Sequence, residues 1–252
     1  MQTRPNTIAE LAVAMPQAVG TLEKLGIDYC CNGGRSIADA CHSAGITTDE
    51  LLALIPAAQN ATPETDWAVE PMSSLVRFIV GTHHHYTRET LATLQHLATK
   101  VREHHGPNHS ELSVVERLVH QLAADLVPHM LKEEQVLFPY ITAVEEAAML
   151  GSEPPMPFFA TARNPVRMMM LEHETAGEML VEIRTLTANF TLPPEACTSF
   201  HALYANLQAI EADLHRHIHL ENNILFPRAI STEDATRKSA VPVFADRCCV
   251  RN

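Results

Sequence analysis

The chain has 252 residues, of which 46% are hydrophobic, enough for a real core and against wholesale disorder. Eighteen Lys and Arg against 30 Asp and Glu leave a net charge of −12, which argues against a nucleic-acid backbone as main partner. Few aromatic residues (5%) and only 9 Gly disfavour a strand-rich sandwich or barrel, whereas 15 His point towards metal or proton chemistry. In chain order, short helices are predicted over 7–15, 17–25 and 48–55, with Pro16 opening the second and Gly26 closing it. The apolar segment at the start is interrupted by Glu10 and Pro16 and lacks a cleavage-site pattern, so no signal peptide is expected. Residues 1–60 thus read as a small helical domain, too small to bury much unless it docks or dimerises. Pro56 to Pro71 reads as a linker.

From Pro71 onward, apolar residues recur at helical spacing over roughly 71–104, 112–148, 165–188 and 195–229. Four helices of this length joined by short loops predict an all-α fold, an antiparallel four-helix bundle over 71–230. Residues 231–252 show no pattern and are expected to form a mobile tail. No stretch approaches the ~20 apolar residues needed to span a bilayer.

The chain repeats itself. His129-x3-Glu133-x2-Val136-Leu137-Phe138-Pro139 returns 88 residues later as His217-x3-Glu221-x2-Ile224-Leu225-Phe226-Pro227. A weaker pair, His84-x4-Glu89-x-Leu91 and His173-x4-Glu178-x-Leu180, is offset by 89. The bundle therefore reads as two copies of one helical hairpin, each bringing one His on its first helix and a His-x3-Glu on its second. Residues four apart share a helix face, and both His-x3-Glu pairs continue their helix's apolar stripe into the interior. Two unpaired inward carboxylates would cost several kcal/mol and repel, a conflict that bridging cations resolve. His84, His129, His173 and His217 with Glu133 and Glu221 would suit two transition-metal ions, each taking two His, with the carboxylates bridging. Mixed His and carboxylate ligation fits iron or manganese, and four neutral imidazoles suit a redox-flexible iron pair with an oxo or hydroxo bridge. A single inward His is more often a satisfied core residue, but independent surface pairs have no reason to repeat at one offset with both flanks matched.

His83 and His85 sit about 100° either side of His84, so all three cannot face the core, and the same holds for His215 and His219 around His217. His105 lies 21 residues beyond His84, about 30 Å along a helix, too far to share a site. The adjacent pairs Cys30-Cys31 and Cys248-Cys249 are not a disulfide framework, and reduced thiols in a cytoplasmic setting are expected. Cys30 and Cys31 lie in a Gly-rich turn and form a candidate thiol site for transient iron binding or electron exchange, while Cys41 and Cys197 read as packing residues.

Asp28-Tyr29-Cys30-Cys31 and its Gly-rich sequel resemble the N-terminal domain of the repair-of-iron-centres (ScdA/YtfE) family, and the remainder resembles that family's hemerythrin-like domain. Matching stretches are Lys100-Val101, His129-Met130-x-Lys132-Glu133-Glu134-Gln135, Glu172-His173-x2-Ala176-Gly177-Glu178, Pro193-Pro194-Glu195-Ala196-Cys197-Thr198 and His217-Ile218-x-Leu220-Glu221-Asn222-Asn223. The resemblance spans about residues 5–230. It implies a homodimeric, non-haem di-iron protein that repairs iron–sulfur clusters damaged by nitrosative and oxidative stress, with damaged or apo iron–sulfur proteins as partners and iron donation as its route. It places the iron ligands on His84, His129, Glu133, His173, His217 and Glu221. Two alternatives stay open at this level: reduction of nitric oxide or peroxide at the di-iron centre, and reversible binding of dioxygen or nitric oxide as a sensor. Pro128, the long 149–164 connection and the tail depart from the family pattern without removing a ligand.

Overall fold

A computed structural model describes residues 5–55 and 65–240, and the regular structure among them is helical. The N-terminal part holds α1 (Ile8–Ala14), α2 (Val19–Lys24, after a 3₁₀ turn Pro16–Ala18), α3 (Ile37–Ser43) and α4 (Thr48–Leu54). Thr7 with Glu10, and Thr47 with Glu50, form reciprocal capping boxes that fix the starts of α1 and α4. Helix α3 is absent from the sequence expectation. After Ile37 it carries no large apolar side chain to mark a stripe, and it rests on the Ser36 cap and on burial of Ala40 and Cys41. The small core of Ile8, Leu11, Leu22, Tyr29 and Leu51 is completed by Ile218, which comes from the bundle.

Four rods follow. The first joins α5 (Met72–Phe78) to α6 (His85–His105), the second α7 (Glu111–Lys132) to α8 (Phe138–Leu150), the third is α9 (Arg163–Leu186), and the fourth joins α10 (Thr198–His219) to α11 (Phe226–Ala240). In each composite rod a π-helical turn makes the joint: Ile79–His84, Glu133–Leu137 and Leu220–Leu225. Pro139 and Pro227 stand one residue beyond the ends of two of these turns. A proline has no N–H for the α ladder, and the wider turn absorbs the lost hydrogen bond. Helix α7 stays helical through Pro128.

Side-chain bonds run in opposite directions along neighbouring rods: His84 meets Glu134, Gln95 meets His120 and Arg102 meets Glu116. His173 likewise meets Asn222 while Arg184 meets Glu211. The rods are therefore antiparallel. One large apolar core lies on one side of the bundle's middle, with Leu91, Leu122, Leu126, Leu180, Leu207 and Leu214. Another lies beyond it, with Leu75, Ile79, Leu137, Ile141, Val166 and Leu225. The six predicted ligands fall in the layer between.

The fourth rod continues past the expected end at 229. Residues 231–240 are helical rather than a patternless tail, because their buried face is polar. Glu233 is 1% exposed and accepts hydrogen bonds from Tyr140 Oη (2.6 Å), Thr161 Oγ1 (2.8 Å) and the Ala162 amide (2.9 Å). An apolar period cannot report such a face. Residues 241–252, with Cys248 and Cys249, and 56–64 of the expected linker lie outside the described residues.

Candidate metal centre

His84 ends the first π turn; Glu133 opens the second, with His129 one turn before it in α7; Glu221 lies in the third, with His217 one turn before it in α10. His173 comes from the middle of α9. All six residues are buried and none is more than 1% exposed. They form two overlapping groups, His84, His217, Glu133 and Glu221, and His129, His173, Glu133 and Glu221, each with its donor atoms within 4.8 Å of one another. Both carboxylates belong to both groups.

The distances follow suit. His84 Nε2 and His217 Nε2 are 3.1 Å apart, and His129 Nε2 and His173 Nε2 are 3.0 Å apart. Glu221 turns Oε1 towards His217 (2.9 Å) and Oε2 towards His173 (3.2 Å), one oxygen to each pair. Glu133 Oε2 lies 3.4 Å from both His84 Nε2 and His129 Nε2.

Whether a pair of cations fits can be judged from the remaining bonds. Both Glu133 oxygens and Glu221 Oε2 are buried without a hydrogen-bond partner in the protein. The outer nitrogens of three imidazoles, by contrast, are engaged: His84 Nδ1 by Glu134 Oε1 (2.7 Å), His129 Nδ1 by Glu172 Oε2 (2.7 Å) and His173 Nδ1 by Asn222 Oδ1 (2.9 Å). An acceptor on Nδ1–H fixes the tautomer that aims the Nε2 lone pair inward. Lone pairs meeting at 3 Å beside unpaired carboxylates are unfavourable unless protons or cations lie among them, so the donor set fits two cations of the imidazole- and carboxylate-loving kind.

Without a cation, protons take that place. Burial disfavours charge on His84, but the nearby carboxylates of Glu133 and Glu221 outweigh it and push its pKa up to about 10. His129 follows to about 9 against the same burial, through the charge of Glu133 3.4 Å away. Burial would raise Glu221, yet the His217 charge and its imidazole hydrogen bonds hold it well below the usual carboxylate range. At neutral pH His84 and His129 therefore carry protons that an incoming cation must displace. Uptake of ferrous or cobaltous ion at pH 7 is expected to release protons, and affinity should climb with pH until the region of pH 9 to 10. Calorimetry in buffers of different ionisation enthalpy measures this; uptake without proton release contradicts it.

The thiols divide. Cys30 and Cys31 are free, with sulfurs 3.7 Å apart, and with Asp28 they form a third group able to hold a cation. Asp28 Oδ1 accepts from the amides of Cys30 and Cys31, which shapes the turn. Its part was missed in the sequence, although it stands two residues before the pair. Cys31 Sγ rests 3.6 Å from the carbonyl of His173, above Gly177, where a Cβ would come within 3.3 Å of the sulfur. The thiol turn is thus seated on the helix that supplies a candidate ligand. Cys41 is core, as expected, but Cys197 is not a packing residue. It is the exposed N-cap of α10, its thiol drawn down by the Phe200 amide, with His105 Nε2 at 3.2 Å from Sγ.

The histidines set aside stay out of the layer, though not all of them are at the surface. His83 and His219 are 5% and 6% exposed. His215 bonds Glu23 and His219 lies edge-on to Tyr29 at 5.3 Å, while Asn223 donates to the Tyr29 carbonyl (2.9 Å). They anchor the N-terminal part to α10. Glu134, Glu172 and Asn222, the partners of the ligand imidazoles, were also missed. The repeat carried a signal for two of them, since Glu134 and Asn222 are equivalent positions 88 residues apart.

Four antiparallel rods closed around a buried imidazole–carboxylate layer define the class of cation-binding helical bundles. The chain belongs to the hemerythrin HHE cation-binding domain family, which matches residues 77–229, and its residues 4–59 match the ScdA N-terminal domain, described as a domain of unknown function (DUF542). It is similar to the iron-sulfur cluster repair protein YtfE of Escherichia coli O81 (strain ED1a), 36% identical over 233 residues that cover 92% of this chain and 100% of that protein. The proteins of the same name from Escherichia coli O1:K1 / APEC and Escherichia fergusonii are 35% identical over the same shares of both chains.

Proposed function

We propose that this protein holds two iron ions on His84, His129, Glu133, His173, His217 and Glu221 and serves the repair of iron–sulfur clusters damaged by nitrosative and oxidative stress, supplying iron to damaged or apo iron–sulfur proteins. The observation that carries the metal half is the pair of fully buried carboxylates, Glu133 with no hydrogen-bond partner, set between two Nε2 pairs. The repair half is supported by likeness over nearly the whole chain to proteins named for that role. Bound iron would supply redox and Lewis-acid chemistry. The chain itself orients the imidazoles through Glu134, Glu172 and Asn222, excludes bulk water from the layer, and offers soft ligands at its edge through Cys30 and Cys31.

In this reading residues 1–60 are the thiol-bearing part and 71–230 the iron-holding part. A cytoplasmic site of action suits the four free thiols among the described residues, and no described helix is long and apolar enough to cross a membrane. A homodimer belongs to the same proposal, with the exposed Met149, Leu150, Met156 and Phe158 as apolar surface to cover.

The test incubates anaerobically iron-loaded protein with an apo iron–sulfur enzyme. Cluster recovery is expected to exceed that from the same concentration of free ferrous iron, and to fall when Cys30→Ser and Cys31→Ser are combined. Recovery no better than free iron overturns the donor role.

A further inference from the structure

The two halves of the bundle pair His84 with His173, His129 with His217, Glu133 with Glu221 and Glu134 with Asn222. The contacts behind the ligands obey this symmetry in all but one place. Glu134 holds His84 and its counterpart Asn222 holds His173. Glu172, immediately before His173, holds His129. By the same relation the residue immediately before His84 should hold His217, and that residue is His83.

His83 does not do so. Its ring lies parallel to that of His217, with centroids 5.7 Å apart and planes 9° apart, and its Nδ1 is engaged 3.0 Å away by Asp213 Oδ1. His217 Nδ1 is buried with no hydrogen-bond partner in the protein. The rest of the outer contacts nearly cancel between the halves. Glu134 and Glu172 are both carboxylates on an Nδ1, and each is itself held by a cation, Arg88 and Lys132 respectively. What remains is a difference of one contact: His173 has the Asn222 carbonyl and His217 has no acceptor.

We infer that the two cation positions are unequal, and that the one held by His84 and His217 is the labile one. An acceptor on the outer nitrogen fixes the ring and makes the inner nitrogen a better ligand, and its loss typically costs 10–100-fold in metal affinity. His217 lacks that support, and Glu133 and Glu221, shared by both positions, cannot make up a difference between them. The inference rests on the two-iron reading and deepens it: each chain would give up one iron and keep the other on His129 and His173.

The experiment loads the full chain anaerobically with ferrous iron, confirms the iron content, and follows extraction by excess bipyridyl-type chelator in a stopped-flow spectrometer. Two phases of one equivalent each are expected, with rates at least ~10-fold apart. His83→Glu should give His217 the carboxylate that its counterpart has and slow the fast phase towards the other. Glu172→Ala, at a side chain one-third exposed and therefore safe for folding, should accelerate the slow phase and leave the fast phase alone. A two-iron sample that empties in one phase, or a Glu172→Ala variant whose fast phase changes instead, overturns the inference while leaving the two-iron reading intact. A sample that takes up fewer than two equivalents overturns both, and a failure of cluster repair alone touches neither rate.

Discussion

Glu133→Ala and Glu221→Ala, each alone, are expected to lower metal content from about two equivalents per chain to almost none, rather than from two to one. Each carboxylate belongs to both donor groups, so removing either strips an oxygen ligand from both positions. What remains is four imidazoles and one carboxylate, and with it the repulsion between Nε2 atoms 3.0 and 3.1 Å apart. A control such as Glu89→Ala, in an exposed helical position of the first rod, should retain full metal content. Elemental analysis after anaerobic preparation decides the matter. Unchanged iron in either glutamate variant would show that the layer is a polar core and nothing more.

Removal of the metal should cost the fold heavily. A ligand bound only by the folded state and present at about 1,000 times its dissociation constant stabilises by about 4 kcal/mol. For a chain of this size each kcal/mol shifts Tm by roughly 2–4 °C, so chelation is expected to lower Tm by about 8–16 °C. The origin is the layer itself, because without cations its buried carboxylates are answered only by protonated imidazoles, and Glu133 makes no hydrogen bond. Calorimetry with and without chelator measures the shift, and the same scan on Glu221→Ala should show none. An equal Tm in both states of the parent protein would refute the idea that the metal holds the rods together.

Much of this architecture was legible before any coordinates. Leu118, Leu122, Leu126, His129 and Glu133 keep one helical face, and their interval to the second copy of His-x3-Glu is a sequence fact. These signals are local, or compare the chain with itself, and they sufficed for four rods and six convergent side chains. They failed where the buried face is polar or made of small side chains. Glu233 and Thr236 carry α11 on a buried face without an apolar stripe, and α3 buries only Ala40 and Cys41. Cys197, a packing residue by its type, stands exposed at the N-cap position of α10, a place that Pro193-Pro194 before it and the long helix after it signal.

The helical class, the duplication and the six side chains that converge in the layer could be read from the chain alone, because these depend on spacing along one strand of chain. Which groups stand behind those side chains depends on the packing of the rods. Glu172 reaches His129 from another rod, Asn222 reaches His173, and His83 faces His217 while bonding Asp213. Tertiary packing also decided that the thiol turn sits on the backbone of His173, from a segment 142 residues earlier in the chain. Such contacts join residues far apart in number whose meeting is set by how rods and turns pack, and no periodicity within one element can encode it.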